Sequence, residues 1–172
     1  MKIFISVFVV FSIAFSAAGQ NSNIQPFQNK NSLHLELMGP TVFYSLNYER
    51  ILINGERLKT SAQLGISYYP PSTGVRDLWI PIGINEIISF GNHHLEVGLG
   101  YLPVREALRD SDLEVIEWEW SHMVNGRIGY RYQKPDGRLI IRADFTPVLE
   151  IQNLGSGDAF HPLGGVSVGY SF

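Results

Sequence analysis

The nine residues Gly164-Gly165-Val166-Ser167-Val168-Gly169-Tyr170-Ser171-Phe172 decide how this chain is read. Val166, Val168, Tyr170 and Phe172 occupy alternate positions, with Ser167, Gly169 and Ser171 between them. Side chains on a strand point to opposite faces with a period of two. One face is therefore an apolar stripe ending in aromatics, and the other carries only small residues. An apolar stripe running to a bare terminal phenylalanine reads as the closing strand of a β-barrel that sits in a membrane.

Upstream, from Leu33 onward, the same alternation recurs and is broken by turn residues. Leu33, Leu35 and Leu37 alternate with His34 and Glu36 before Gly39-Pro40. Val42, Tyr44, Leu46 and Tyr48 alternate with Phe43, Ser45, Asn47 and Glu49. Asn54-Gly55 follows, and both residues tolerate the positive φ of a type I′ hairpin turn. Ala62 to Tyr68 and Leu78 to Ile84 continue the theme across a Pro70–Gly74 loop. Pro81 cannot donate a ladder hydrogen bond, and a phase slip at Glu86-Ile87-Ile88 suggests a bulge. Leu95 to Tyr101, Val124 to Tyr132 and Leu139 to Phe145 supply three more strands, with turns at Gly91-Asn92 and Lys134–Gly137. Pro103 to Glu117 reads as a long polar connection, and Asn153 to Asp158 as a Gly-rich loop.

About eight strands result, each with an apolar face four or five residues deep. That depth fits the roughly 9–11-residue tilted strand that crosses a hydrocarbon layer. Short connections at Asn54-Gly55, Gly91-Asn92 and Lys134–Gly137 alternate with longer ones, the asymmetry of short periplasmic turns and long outer loops. Only Gly39-Pro40 breaks that rule. The fold expected is all-β, an antiparallel up-and-down transmembrane barrel of about eight strands.

Parity assigns Glu36, Glu49, Glu96 and Asp144 to the same face as Arg127, Arg131 and Arg142. In a small closed barrel that face fills the interior, and buried charges must be paired there. The expectation is a salt-bridge plug in place of a wide water-filled channel. On the opposite face Tyr68, Tyr101, Trp118 and Trp120 end upward-running strands, and Tyr48, Tyr132 and Tyr170 lie at the other ends. Amphipathic rings at two rims are what the two interfaces of a bilayer favour.

Met1-Lys2, the apolar run Ile3–Phe15 and the small residues Ser16–Gly19 have the layout of a secretory signal peptide, which gives 1–19 as a removed segment. A polar, flexible periplasmic lead-in over 20–32 and a barrel over 33–172 complete the organisation. The 172 residues hold 13 basic and 16 acidic side chains and 45% hydrophobic residues. That composition suits a barrel, in which only alternate residues meet lipid. With no basic excess, no nucleic-acid partner is expected. With no cysteine, the chain has no disulfide, thiolate metal site or nucleophilic thiol.

Taken together, the strand dyads, the turn asymmetry and the Val166–Phe172 end resemble the small eight-stranded outer-membrane β-barrels of Gram-negative bacteria, the OmpA/OmpX-like class. The runs Leu46-Asn47-Tyr48-Glu49-Arg50 and Leu95-Glu96-Val97-Gly98-Leu99-Gly100 also resemble those of outer-membrane barrel families. The resemblance spans Leu33 to Phe172. It implies an outer-membrane address, contact with its lipids, and reading of Val166, Val168, Tyr170 and Phe172 by the barrel-assembly machinery as an insertion signal. The class includes structural, adhesive, protective and enzymatic members, so architecture does not fix the task.

A search for chemistry returns little. Asp110-Ser111-Asp112-Leu113-Glu114 starts like a calcium loop, but Val115 and Ser121 stand where a glycine and a glutamate are needed. His93-His94 and Ser121-His122 are adjacent pairs, which a strand sends to opposite faces. No metal, cofactor or catalytic set is expected. The leading expectation is a monomeric, non-catalytic barrel acting through structure or through its outer loops. The alternatives are a lipid-modifying hydrolase and a secreted soluble barrel whose apolar stripes face inward onto an apolar ligand.

Overall fold

A computed structural model describes residues 24–70, 77–109, 115–153 and 159–172. The segment read as a signal peptide, 1–19, lies outside them. The described chain forms nine strands: β1 (Asn31–Met38), β2 (Tyr44–Asn54), β3 (Leu58–Tyr68), β4 (Leu78–Trp79), β5 (Ile82–Phe90), β6 (His93–Arg109), β7 (Val115–Gln133), β8 (Leu139–Glu150) and β9 (Phe160–Ser171). A single 3-10 turn, Ile151–Asn153, follows β8.

Sequence neighbours pair antiparallel, and β1 pairs with both β2 and β9, so the sheet closes on itself. At the seam Leu33 lies opposite Tyr170, Leu35 opposite Val168 and Leu37 opposite Val166. The strand that ends the chain is thus the stave that closes the barrel. β4 and β5 both pair with β3 and with β6, so they are one stave interrupted at Pro81. Proline has no N–H to give the ladder, yet its carbonyl accepts from Gly65 N at 2.7 Å and Ile80 N donates to Pro103 O at 3.1 Å. The barrel has eight staves.

Three local expectations change. The Asn54-Gly55 turn is not type I′, because the described positive-φ residues are Met38, Gly39 and Gly91. Gly55 is needed instead for space, since a Cβ there would stand 2.6 Å from Leu58 O. No bulge interrupts β5 at residues 86–88; its registers with β3 and β6 run unbroken, and bulges fall at Ile51/Ile53 and Leu108/Arg109. The apparent slip arises because Ile87 points inward to an apolar cluster while Glu86 accepts a hydrogen bond from Thr60 on the outer face.

Finally, the stretch from Pro103 to Glu117 is largely strand. β6 and β7 stay paired beyond the neighbouring staves, with Arg105 opposite Trp120 and Ala107 opposite Trp118. A two-stranded ribbon needs ladder bonds more than an apolar pattern once it leaves the barrel wall, so its charges disguise it. Residues 110–114, which carry the calcium-like spacing, lie outside the described residues.

Candidate functional site: a charged lumen

The strand alternation sorts side chains by polarity in the opposite sense to a water-soluble domain. Glu36, Glu49, Glu96, Arg127, Arg131 and Arg142 are all at most 5% exposed. Leu33, Leu35, Leu37, Ile84, Ile128, Val166 and Val168 are exposed on the outside, and Leu99 is 77% exposed. The soluble alternative, with apolar stripes facing inward, is thereby overturned: those stripes face out.

Within the lumen Glu36, Glu49 and Glu96 meet arginines of β7 and β8, and Asp144 meets Arg127 on the adjacent β7. Glu36 Oε1 lies 2.8 Å from Arg127 Nη2, and Asp144 Oδ2 lies 3.1 Å from Arg127 Nη1. Glu49 Oε2 lies 2.8 Å from Arg131 Nη1. Glu96 sits between the groups, 3.3 Å from Arg131, 3.2 Å from Arg142 and 3.8 Å from Arg127. All seven residues that share this face by parity are brought together. Burying an ion is unfavourable unless partners replace its water, and neutral groups complete the shells. Ser61 donates to Glu49, Asn47 to Glu36, and Arg142 Nε to Ser167. A cavity of about 10 Å³ lies between Gln63, Asn85, Asn125 and Arg127, room for about one water.

Counting formal charges by parity misses several members. His34 Nε2 bonds Glu49 at 3.1 Å, and Gln63 accepts from Arg142. Both lie on the right parity, so the alternation itself could have found them. Lys59 is fully buried and donates to Ser89 Oγ and to Glu56 O. It lies at the start of β3, ahead of the recognisable alternation.

An apolar cluster lies towards each mouth, and no sequence pattern announces either. At the end where β1 begins and β9 ends, Phe27 packs on Ile51 and Ile87. Its ring lies 4.8 Å from Lys59 Nζ and 5.6 Å from the Arg131 guanidinium, and meets His94 edge-on at 5.1 Å. The backbone is clasped too: Phe27 N donates to Asn54 Oδ1, Asn54 Nδ2 donates to Phe27 O, and Gln28 N donates to Pro135 O. The expectation of a flexible lead-in over 20–32 is therefore corrected for its described part. Residues 27 and 28 are tied to two turns, and β1 already begins at Asn31. At the opposite mouth Tyr69, Trp79, Leu102, Val104, Met123 and Val148 form a second apolar layer. The Tyr69 hydroxyl accepts from Phe43 N and Tyr44 N.

Outside, Tyr48, Tyr68, Tyr101, Trp118, Trp120 and Tyr170 are exposed by 38–50%, while Tyr132 is half-buried. Tyr44, Phe43 and Phe160 are exposed as well, at the end that carries the longer connections. The Arg105 guanidinium stacks over Trp118 at 4.2 Å and pairs with the buried Asp77 at 2.7 Å. The histidine pairs split as strand geometry requires. His93 bonds Tyr130 on the outside, whereas His94 is buried against Ser89 and Gln133 O. His122 bonds and stacks on Tyr101. No group of three or more metal-ligating side chains occurs among the described residues.

These features define a closed, eight-stave antiparallel barrel with an ionic, packed lumen and an apolar exterior. Its architecture is similar to the crystal structure of the N-terminal β-barrel domain of Pseudomonas aeruginosa OprF, with a TM-score of 0.52 and 16% identity. The alignment covers 84% of this chain and 100% of that one. No family model matches the chain, and no curated protein matches its sequence.

Proposed function

We propose that the chain is an integral outer-membrane barrel with a plugged lumen. Its role is non-catalytic, either reinforcing the envelope or making contacts through the outer connections. One observation carries this reading: large apolar side chains cover the outside while the ionisable ones are packed within. An apolar surface of this extent is untenable in water and is the normal exterior of a barrel in lipid. Rim aromatics at both ends and a sequence laid out as a signal peptide support the same address.

The lumen supports a structural role. Its carboxylates are engaged by arginines and hydroxyls, which leaves none poised to act on a substrate. In this reading the partners are the membrane lipids and, during insertion, the assembly machinery that reads Val166, Val168, Tyr170 and Phe172. The protein works as a monomer. The test is fractionation of cells expressing the full chain, followed by gel mobility with and without heating. A heat-modifiable band in the outer-membrane fraction is expected, whereas a soluble, unshifted band would overturn the proposal. A lipid A profile altered by deletion of the gene would instead favour a lipid-modifying enzyme.

A further inference from the structure

Among the described residues, Arg50 is a cation in the barrel wall whose guanidinium no hydrogen bond, ion pair or ring contact engages. It faces outward on β2, between Tyr48 and Leu52 on the same strand face. Its ladder neighbours are Asn31 on β1 and Ala62 on β3. Leu52 and Ile53, further towards the short turns, are exposed as well. The charge therefore stands at the border of the apolar coat, at the end where β1 begins and β9 ends.

Arg138, in the turn between β7 and β8, lies on the other side of the β1–β9 seam. Its Nη1 donates to the Tyr170 hydroxyl on β9, and its guanidinium lies 5.7 Å from that ring. A phenol is neutral, so the Arg138 charge stays uncompensated. Tyr170, Leu33 and Tyr48 form one cross-strand row over β9, β1 and β2. Tyr170 and Arg50 are thus two strand spacings apart, roughly 9–10 Å. Two cations face outward across the seam with no carboxylate between them.

Sign distinguishes this end from the other. Lys30, Arg57 and Lys134 are also exposed here, against Glu56, Glu86 on the outer face and Asp136. Glu56 and Glu86 stand on the far side of β2 from the seam, and Asp136 shares its turn with Lys134. At the opposite end Arg105 is already paired with Asp77, and Glu117 and Glu119 on β7 are exposed.

We infer that the seam binds the headgroup of one anionic phospholipid in the periplasmic leaflet, its phosphate held between Arg50 and Arg138. The inference rests on the membrane reading above and adds to it a charge class and a leaflet. An arginine flanked by apolar side chains sends its guanidinium to a polar phase. That planar fork of donors matches phosphate oxygens. Charge selects the lipid: the ammonium of a zwitterionic headgroup is repelled by two guanidinium groups, whereas phosphatidylglycerol carries no such cation.

The test loads the full chain in detergent with equal amounts of phosphatidylglycerol and phosphatidylethanolamine of identical acyl chains, and native mass spectrometry reads which lipid stays bound. Identical chains remove apolar contact from the comparison. The unaltered protein should favour phosphatidylglycerol about twentyfold, and Arg50→Gln and Arg138→Gln should each lower that preference about fivefold, the size of one cationic contact with an anionic lipid surface. Arg57→Gln, away from the seam, should leave it unchanged; an equal loss there would mean diffuse surface charge and overturn the site. Equal retention of both lipids by the unaltered chain would overturn the inference outright. Loading in about 1 M salt, where the screening length falls to roughly 3 Å, should weaken the preference, and this check needs no variant to fold. An unchanged preference there would overturn an ionic origin. Binding to purified peptidoglycan that both variants abolish, without any lipid preference, would assign the two arginines to the cell wall and overturn the lipid site. A chain that stays soluble and gives no heat-modifiable band would overturn the membrane reading itself, an outcome the mobility assay separates from the others.

Discussion

The sharpest energetic commitments are made by single side chains in the lumen. Glu96 faces three arginines at once, so Glu96→Ala leaves Arg131 and Arg142 each short of a partner in a closed space. Breaking a buried ion pair from one side costs about 3–5 kcal/mol, and denaturant unfolding from vesicles should show a loss of that order. Glu36 and Arg127 allow a stricter check. Their 2.8 Å contact joins residues 91 apart in sequence; each single alanine variant leaves the other member of this pair without it, whereas the loss of Arg127 to Asp144 is common to the Arg127 single and the double variant and cancels in the cycle. The pair should therefore couple strongly in a double-mutant cycle, and additive effects would count against a direct interaction. Parity makes these residues legible, because an alternating strand that turns its leucines outward must turn its charges inward. Parity cannot reveal Phe27, an isolated aromatic in a polar Asn/Gln-rich stretch whose value appears only when Asn54 and Pro135 arrive beside it.

Among the elements, the lead-in and the closing strand bear the most on stability and assembly. Phe27 meets Ile51, Lys59, Ile87, His94 and Arg131 from five strands, so Phe27→Ala opens a void and exposes Lys59 and Arg131. A loss of about 3–5 kcal/mol is expected for emptying such an aromatic site, measured as a lowered denaturant midpoint. Asn54→Ala should reproduce part of that loss without touching the ring, since it releases both backbone bonds to Phe27. At the other end of the chain, removal of Phe172 should slow or abolish insertion in cells; normal levels in the outer membrane would argue against a signal role. The alternation marks a strand in every stave. It does not mark the β6–β7 ribbon, because outside the wall no apolar face distinguishes a strand, and the β5 phase slip misleads because one inward position holds isoleucine.

For the molecule as a whole, the proposed plug and the apolar coat make separate predictions. Two apolar clusters bracket the ionic network. A planar bilayer containing the purified protein should accordingly show no stepwise conductance; discrete channels would mean that one layer opens. The coat is tested by placing a charge on it. Leu35, midway along β1 and facing out, should cost roughly 2–4 kcal/mol as Leu35→Arg if it lies at the bilayer midplane. Unchanged stability would place this surface outside the hydrocarbon.

The cross-barrel ion pairs also impose an order in time. Glu36, Glu49 and Glu96 belong to β1, β2 and β6, while Arg127, Arg131 and Arg142 belong to β7 and β8. Lys59 and Asp144 are the exceptions. A chain delivered from its N-terminus therefore presents an anionic half before its cationic counterpart exists. That half must stay hydrated until β7 and β8 arrive, since no apolar phase accepts three unpaired carboxylates. Charge neutralisation, desolvation of the lumen and formation of the β1–β9 seam thus fall together at closure, which makes the final two hairpins a built-in checkpoint on it.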